Sequence, residues 1–184
     1  MEHLTAVALE AGLGGIRRSP ADDGRVELIV RRPAENERDV VLEGVLDSAE
    51  GLVGDTWRER GSRGTADGSA HPDRQLTMMN ARAAALVAGR TDRWGLAGDQ
   101  LYVDLDLSYD NLPPGTRLAM GSAVIEVTDE PHRGCKKFAA RFGRDALQFV
   151  NSATGRQLNL RGVNAKVVVP GTVRVGDVVN KLPA

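Results

Sequence analysis

The sequence predicts a mainly β protein of the α+β class, in which a few short helices accompany a larger sheet. Hydrophobic residues make up 41% of the 184 residues and aromatic residues only 4%, so Val, Leu, Ala and Ile must fill the core. Several valine-rich runs alternate apolar and polar residues, which is the period of a half-buried strand. Because globular domains commonly hold ~100–200 residues, we expect one domain over residues 1–184.

Composition excludes several classes of protein. The chain has 24 Lys and Arg against 25 Asp and Glu, so no overall charge draws it to nucleic acid or to membrane phosphates. Its single cysteine excludes an internal disulfide, and no apolar run approaches the ~20 residues that cross a bilayer. Met1–Leu9 lacks the pattern of a signal peptide. We therefore expect a cytoplasmic protein that binds neither nucleic acid nor membranes.

The N-terminal third predicts strands and turns. Leu4–Asp23 contains three glycines among small apolar residues and gives only weak strand or loop signals. Arg25–Arg31 alternates apolar and polar residues, which predicts a half-buried strand that Pro33 ends. A second apolar stretch, Val40–Leu46, leads to the turn-forming pair Gly54-Asp55.

The middle of the chain predicts a loop, a strand and a helix. Arg58–Asp73 holds few apolar side chains, so we interpret it as an exposed surface loop without a function, although lids over sites share this composition. Gln75–Met79 has the length of a short strand. Asn80 is a suitable N-cap for a helix over Ala81–Ala88, and Gly89 is placed to end it.

The C-terminal part combines strands with two helical segments. Leu118–Thr128 has the clearest alternation in the chain. Beyond Cys135, apolar residues recur at helical spacing and Gly143 interrupts them, which predicts two short helices or one kinked helix. Lys166–Val169, the turn at Pro170-Gly171 and a final strand over Val173–Val179 predict a closing hairpin.

Cys135 is the most informative residue of the sequence. It stands in the basic cluster His132–Lys137, where a loop gives way to a predicted helix. A helix N-terminus and neighbouring cations favour the thiolate, which is the form that attacks electrophiles and binds soft metals. We expect Gly134 to let the backbone come close to a ligand.

Several other chemistries have weaker support. One cysteine and three scattered histidines, His3, His71 and His132, supply no recognisable zinc set. A Cys-His hydrolase remains open, because His132 precedes Cys135 by three residues and His71 could approach in space, but no thiol-protease signature surrounds the cysteine. The glycine pairs match neither the phosphate-loop nor the dinucleotide fingerprint.

What remains is a cationic pocket around one soft ligand, in which cations bind an anion while Cys135 bonds to sulfur or metal. The cations that we expect there are Arg133, Lys136 and, from a neighbouring segment, Arg161. We expect Lys137 and Arg141 to lie on a solvated helix face instead.

An ordered set of motifs resembles the MOSC family, the domain named for the C-terminal region of molybdenum cofactor sulfurases. The resemblance covers about residues 40–180, and the cysteine segment and the terminal Gly-Asp turn are its most telling parts. Its pieces are Gly51–Asp55, His71, Gln75, Trp94, Gly98–Leu101, Gly121, Val124–Val127, Pro131–Phe138, Arg161-Gly162 and Gly171–Val179.

The resemblance implies a closed, mixed β-barrel, similar to the pyruvate-kinase barrel, with a few short helices and with Cys135 near its mouth. In the family this cysteine is proposed to carry sulfur as a persulfide or to ligate molybdenum in a pterin cofactor. On this basis we expect Cys135 and His132 to be catalytic, with Cys135 a metal ligand only if molybdenum binds. The expected cofactor-binding residues are Arg133, Lys136, His71 and Arg161.

The leading hypothesis is a stand-alone MOSC-like protein that uses Cys135 for sulfur transfer or for holding a molybdenum-pterin cofactor. The alternatives are a molybdenum-dependent oxidoreductase component and a non-catalytic barrel that binds an anion or a protein partner. The resemblance implies a small-molecule or sulfur-bearing substrate and, as partner, a cysteine desulfurase or a molybdoenzyme. A pyridoxal-phosphate desulfurase does not fit in 184 residues, so we expect no pyridoxal phosphate in this chain.

Overall fold

The chain folds into eleven strands and six α-helices over the described residues. The computed structural model describes residues 3–62 and 64–183; Met1 and Glu2 of the N-terminal segment, Arg63 of the expected loop and Ala184 lie outside them. The strands are β1 (Gly24–Arg31), β2 (Asp39–Val41), β3 (Glu43–Asp47), β4 (Gly51–Leu52), β5 (Leu76–Asn80), β6 (Leu101–Asp104), β7 (Arg117–Met120), β8 (Ala123–Val127), β9 (Val163–Val169), β10 (Gly171–Arg174) and β11 (Val178–Lys181). The helices are α1 (Ala6–Ile16), α2 (Trp57–Arg60), α3 (Ala81–Ala88), α4 (Lys136–Phe142), α5 (Arg144–Asn151) and α6 (Ala153–Gln157), and 3₁₀ turns cover Pro72–Arg74 and Thr91–Ala97.

Seven of the strands form a closed ring in the order β11-β7-β8-β9-β5-β6-β1. The ring closes where β11 pairs with β1, and Gly176 and Asp177 extend this junction through backbone bonds to Val26 of 2.7 and 2.9 Å. The pair β5–β6 is parallel and the other neighbours are antiparallel, so the sheet is mixed. The predicted closed mixed barrel with short helices is confirmed.

The predicted C-terminal hairpin is wrong. After β9 the chain leaves the barrel, and β10 pairs with β3 in a separate three-stranded sheet that also contains β4. Gly171 makes this crossing against the backbone of Ser122, where a Cβ would lie 2.5 Å from the carbonyl carbon. Val173 is fully buried in the barrel core, so a long-range contact, rather than the local turn at Pro170, sets the partner of this strand.

Ala6–Ile16 is helical, which corrects the expected strand or loop over the first part of Leu4–Asp23, whereas Arg17–Asp23 forms turns and bends. Helix α1 begins after Thr5, whose hydroxyl accepts a hydrogen bond from the amide of Ala8. A Cβ at Gly12 would lie 2.5 Å from Leu86 Cδ1 of α3. The glycines that weaken the helical signal therefore let α1 pack closely on α3, so tertiary contact outweighs local propensity.

Other local predictions are confirmed. Helix α3 spans the predicted residues, Asn80 caps it and Gly89 ends it. The segment beyond the cysteine forms α4 and α5, which Gly143 separates at φ +92°. The alternation over Leu118–Thr128, by contrast, covers two strands that were not told apart, because β7 and β8 pair as a hairpin across Gly121.

Two buried clusters hold the molecule together. One fills the barrel and includes Ile29, Leu76 and Ile125. The other packs α1, α3, α4 and α5 on the outer face of the barrel, through residues such as Val30 and Phe142. No described helix is long and apolar enough to cross a membrane. The loop that leaves β8 and enters α4 carries Cys135 at one end of this helical layer.

Candidate functional site

Cys135 lies at the N-cap position of α4, and its side chain is exposed. Its thiol caps no backbone amide, and it has no hydrogen-bond partner among the described residues. The preceding residue is fixed from α5, because Asn151 Oδ1 accepts from the Gly134 amide and Asn151 Nδ2 donates to the Gly134 carbonyl, both at 3.0 Å. This paired contact holds the thiol in place without covering it.

Gly134 packs tightly against α5, which requires a residue without a side chain. A Cβ at this position would lie 2.8 Å from Leu147 Cδ1 and 3.0 Å from Val150 Cγ2. The glycine therefore allows the loop to pack on α5, and Asn151 can reach its backbone only at this short separation.

Cys135 lines a cavity of about 600 Å³, which we call the cysteine cavity. Six basic side chains line it, against two acidic ones, Glu35 and Glu59. The basic residues are Arg32, Arg38, Arg60, Lys137, Arg141 and Arg161. The cavity thus combines one thiol with more basic than acidic side chains.

A buried carboxylate organises one wall of the cysteine cavity. Asp99 is fully buried, and its two oxygens lie 2.9 Å from His132 Nε2 and 2.5 Å from Arg161 Nη1. Burial alone would raise the pKa of Asp99, but the charges of Arg161 and His132 outweigh it and hold the pKa at about 2. Burial, followed by the charge of Arg161, lowers the pKa of His132. Asp99 is thus ionised and His132 neutral at pH 7.

Arg161 is held from several sides. Its Nη2 donates to the carbonyl of Ala97 at 2.8 Å, and its guanidinium lies 5.2 Å from the centre of the Phe138 ring. Its Nε is buried and has no hydrogen-bond partner among the described residues. The neighbouring Gly162 must lack a side chain, because a Cβ there would lie 2.4 Å from the Met78 carbonyl oxygen.

A second buried ion pair fixes Arg32. Asp55 accepts from Arg32 Nε at 2.7 Å and from Nη2 at 2.8 Å, and Arg32 Nη1 donates to the Gly98 carbonyl at 2.8 Å. Gly98 has φ +95°, a left-handed conformation that suits glycine. Two consecutive residues therefore hold one arginine each. The carbonyl of Gly98 binds Arg32, and the carboxylate of Asp99 binds Arg161, which gives the Gly98-Asp99 motif a structural role.

The arginines of the cysteine cavity repel one another. Partial burial and the charges of Arg141 and Arg32 lower the pKa of Arg38. The pKa of Arg60 is lowered in the same way, and Arg32 and Arg38 contribute to the shift. Cations held this close favour a bound anion, which would relieve their repulsion.

The site residues predicted from the sequence lie in two adjoining cavities, except for Lys136. Cys135, His132 and Arg161 line the cysteine cavity together. His71 and Arg133 line an adjoining cavity of about 500 Å³, which we call the arginine cavity. Lys136 is exposed and lines neither.

Two cations that were expected on a solvated helix face also line the cysteine cavity. The side chain of Lys137 is 65% exposed, as expected, whereas Arg141 is half-buried. Arg141 donates to the Leu96 carbonyl at 2.7 Å, and Lys137 pairs with Glu35 at 2.8 Å. Both side chains project towards the loop that follows β1, which local spacing does not reveal.

Part of the stretch over Arg58–Asp73, which was expected to be an exposed surface loop, borders the arginine cavity. Arg60 belongs to α2, and Gly61, Ser62 and His71 line the cavity with it. His71 Nε2 lies 3.6 Å from Glu130 Oε1.

Sequence reasoning missed Arg32, Arg38, Asp55, Asp99 and Asn151 as residues that build the site. Gly54-Asp55 and Gly98-Asp99 did stand out as motifs, and those glycine-acid pairs were the available signal. Among the described residues, no group of three His, Cys, Asp or Glu side chains could hold a metal ion. A metal in the cysteine cavity would therefore depend on Cys135 and on ligands that it brings with it.

Comparisons with known structures agree on the fold. The YuaD protein from Bacillus subtilis superposes with a TM-score of 0.59 at 18% identity, over 85% of this chain and 93% of that one. YiiM from Escherichia coli gives a TM-score of 0.56 at 21% identity, over 87% and 70% of the two chains. YiiM from Geobacillus stearothermophilus gives 0.58 at 16% identity, over 87% and 75%.

Sequence comparison identifies the family. No curated protein sequence gives a significant match. The family model of the MOSC domain matches residues 65–180, a segment that holds Asp99, His132, Cys135 and Arg161. The match covers more than half of the chain and agrees with the barrel, so this protein belongs to the MOSC domain family.

Proposed function

We propose that this MOSC protein binds an anionic, pterin-type molybdenum cofactor in the cysteine cavity, with the Cys135 thiolate as the protein ligand of the metal. The observation that supports the proposal is one cavity of about 600 Å³ that holds an exposed thiol together with six basic side chains. Small-molecule sites commonly have volumes of ~300–1,000 Å³, so the space suits a ligand of this size.

The residues of the cavity fit such a group. A thiolate is a soft ligand of the kind that suits a transition metal, and guanidinium groups bind phosphate oxygens in a bidentate manner. Arg38 and Arg141 are partly buried and repel each other, so an anion between the walls would stabilise both. When bound, the cofactor would supply oxidation-reduction chemistry.

The chain itself would supply orientation and a proton-transfer group. Because ionised Asp99 accepts from Nε2 of His132, the neutral imidazole carries its proton there and leaves Nδ1 as an acceptor. Arg161 fixes Asp99, so the imidazole keeps one orientation at the cavity wall. His132 is therefore suited to accept a proton from a group that is bound beside Cys135.

Metal analysis of protein from a cofactor-competent host tests the proposal. We expect molybdenum and pterin in near-equal amount with the wild-type protein, and neither in Cys135→Ser. Arg141→Gln should retain less of both, because it removes a cation of the cavity. Arg58→Gln is the matched control, because Arg58 is exposed on the same helix as Arg60 and lies outside the cysteine cavity. Wild-type protein without molybdenum, or Cys135→Ser with a full complement, would contradict the proposal.

A second proposed function is sulfur transfer, which the exposure of Cys135 favours. The thiol has no hydrogen-bond partner among the described residues, so a partner protein could reach it. The thiolate would attack the outer sulfur of a donor persulfide, form a Cys135 persulfide and release the donor as its thiolate. A cysteine desulfurase would be the donor and a molybdoenzyme the recipient.

Intact mass separates the two functions. After incubation with a persulfide donor, a carrier gains the mass of one sulfur atom, and a dithiol reductant removes it. The Cys135→Ser variant should gain nothing. Should neither sulfur nor molybdenum bind while Cys135→Ser and wild type bind inorganic phosphate equally, the protein is instead a non-catalytic anion-binding barrel.

A further inference from the structure

The arginine cavity adjoins the cysteine cavity and shares a wall with it. Arg32, Arg60 and His132 line both spaces. The arginine cavity measures about 500 Å³, which lies within the usual range of ligand pockets of ~300–1,000 Å³. A molecule in it would therefore lie next to a group that is bound at Cys135.

The lining of the arginine cavity carries only positive charge. Four arginines, Arg32, Arg60, Arg74 and Arg133, and two histidines line it, and no Asp or Glu is found among the described residues of the wall. Cations around a concave space attract anions from solution.

Two of the four arginines are neutralised from behind. Arg32 is bonded to Asp55, and Arg74 is bonded to Glu130 at 2.6 Å. Arg60 and Arg133 have no ion pair with any residue that the structure describes. Arg133 is exposed and makes no hydrogen bond among the described residues, whereas Arg60 donates only its Nε, to the Thr56 carbonyl at 3.3 Å. Arg133 and the two terminal nitrogens of Arg60 therefore keep their donors for a ligand in this cavity.

The rest of the wall suits an organic molecule. Trp57 is half-buried and contributes an indole surface, and Thr77 and Asn164 contribute polar groups. His132 lies in the shared wall, with its Nε2 engaged by Asp99. A substrate here would have a proton-transfer group between itself and the cysteine cavity.

We propose that the arginine cavity is a substrate site for a small organic anion, whose carboxylate or other oxyanion binds Arg60 and Arg133. The role as substrate rests on the proposed cofactor function, since the reacting group would lie in the cysteine cavity. The anion binding does not rest on it, because it needs only residues of this chain.

Titration of the metal-free protein tests the site. The chain has two tryptophans, so the indole NH signal of Trp57 in ¹⁵N NMR can be assigned with Trp57→Phe and reports on this cavity. The probes are benzoate, phenyl phosphate and the uncharged benzamide. We expect the two anions to shift the Trp57 signal saturably and benzamide to leave it unchanged; whichever anion binds more tightly identifies the oxyanion.

Matched variants decide whether the arginines are responsible. Arg133→Gln and Arg60→Gln should each weaken binding about tenfold, the loss expected for one charge-assisted hydrogen bond. Arg58→Gln should titrate like wild type. Equal affinity in Arg133→Gln and wild type, or no saturable shift with either anion, would overturn the site.

Failure here is distinguishable from failure of the cofactor proposal. Molybdenum content is measured on the same preparations before the metal is removed. A Trp57 titration without molybdenum sustains the anion site and removes the cofactor, whereas molybdenum without a titration removes the anion site alone.

Discussion

His132 shows how neighbouring residues set the chemistry of a single side chain. The imidazole would gain from the charge of Asp99, but burial and the charge of Arg161 outweigh this gain and lower its pKa. A carboxylate paired with Arg161 therefore orients the ring without making it a cation. The outcome is a neutral imidazole in the wall of the cavity that Cys135 also lines, which the order of residues alone does not reveal.

We expect His132 to titrate below its ordinary value of 6.5. Its neutral form is favoured in the folded protein, so its contribution to stability is complete above the unfolded pKa and is lost as the pH falls below that value. The measurement is a pH series of imidazole ¹⁵N shifts, which also reports the protonated nitrogen. At pH 7 the proton should be on Nε2; a midpoint at or above 6.5 would contradict the prediction.

At the scale of elements, the contribution of a helix N-cap to stability depends on whether the capping side chain is buried. Asn80 accepts from the Ala83 amide at 2.9 Å, and its Nδ2 donates to Ser19 Oγ and to the Leu105 carbonyl. Thr5 makes the corresponding cap of α1 at 3.3 Å on the surface. One asparagine thus ends a strand, begins a helix and ties both to the chain beyond β6.

We expect Asn80→Ala to lower the free energy of unfolding by about 3 kcal/mol, the sum of a lost cap and two buried partners left without a bond. Thr5→Ala is the control and should cost about 0.5–1 kcal/mol, since water replaces the exposed bond. Urea unfolding of both variants measures the difference. Similar losses in the two variants would show that burial of the cap is unimportant.

Elements whose signals are local could be predicted from sequence, and those that depend on distant partners could not. Helix α3 follows from Asn80 and Gly89, which lie next to it. Helix α1 does not, because the space at Gly12 that makes its packing work is filled by Leu86 from another helix. Strand β10 has the local pattern of half of a hairpin, but its partner is the distant β3 and its Val173 is buried in the core.

The residues of the candidate site also fall into those that sequence could predict and those that it could not. The basic segment around Cys135 and His132 is contiguous and could be recognised. Arg32 and Asp99 reach the site from segments far away in sequence, and only the fold brings them to the cysteine. Lys136 was expected beside the cofactor because sequence proximity was the only guide, yet it is exposed and lines neither cavity.

At the scale of the molecule, buried Asp99 ties the segment before β6 to the loop before α4 and to the residue pair before β9. Its pKa is held at about 2, against an ordinary 3.8. A carboxyl with a depressed pKa stabilises the fold fully above its unfolded pKa and loses that contribution as the pH falls through the folded value.

We therefore expect the free energy of unfolding to fall between about pH 4 and pH 2, with Asp99 contributing about 2 kcal/mol of the decline. Asp99→Asn should cost about 3 kcal/mol at pH 7, because it leaves Arg161 without its buried counter-charge. The same variant should show a shallower decline below pH 4. Urea unfolding at a series of pH values measures both, and parallel profiles for the two proteins would rule out this role of Asp99.

The residues that line the cysteine cavity are spread along the sequence, which matters during biosynthesis. Arg32 emerges from the ribosome early, Cys135 later, and Arg161 after that, just before the strand that joins β8 to β5. Long-range strand pairing is a slow part of folding. The nascent chain thus displays a bare sulfhydryl before the arginines of the cavity surround it, and the cysteine cavity is complete only after synthesis has passed β9.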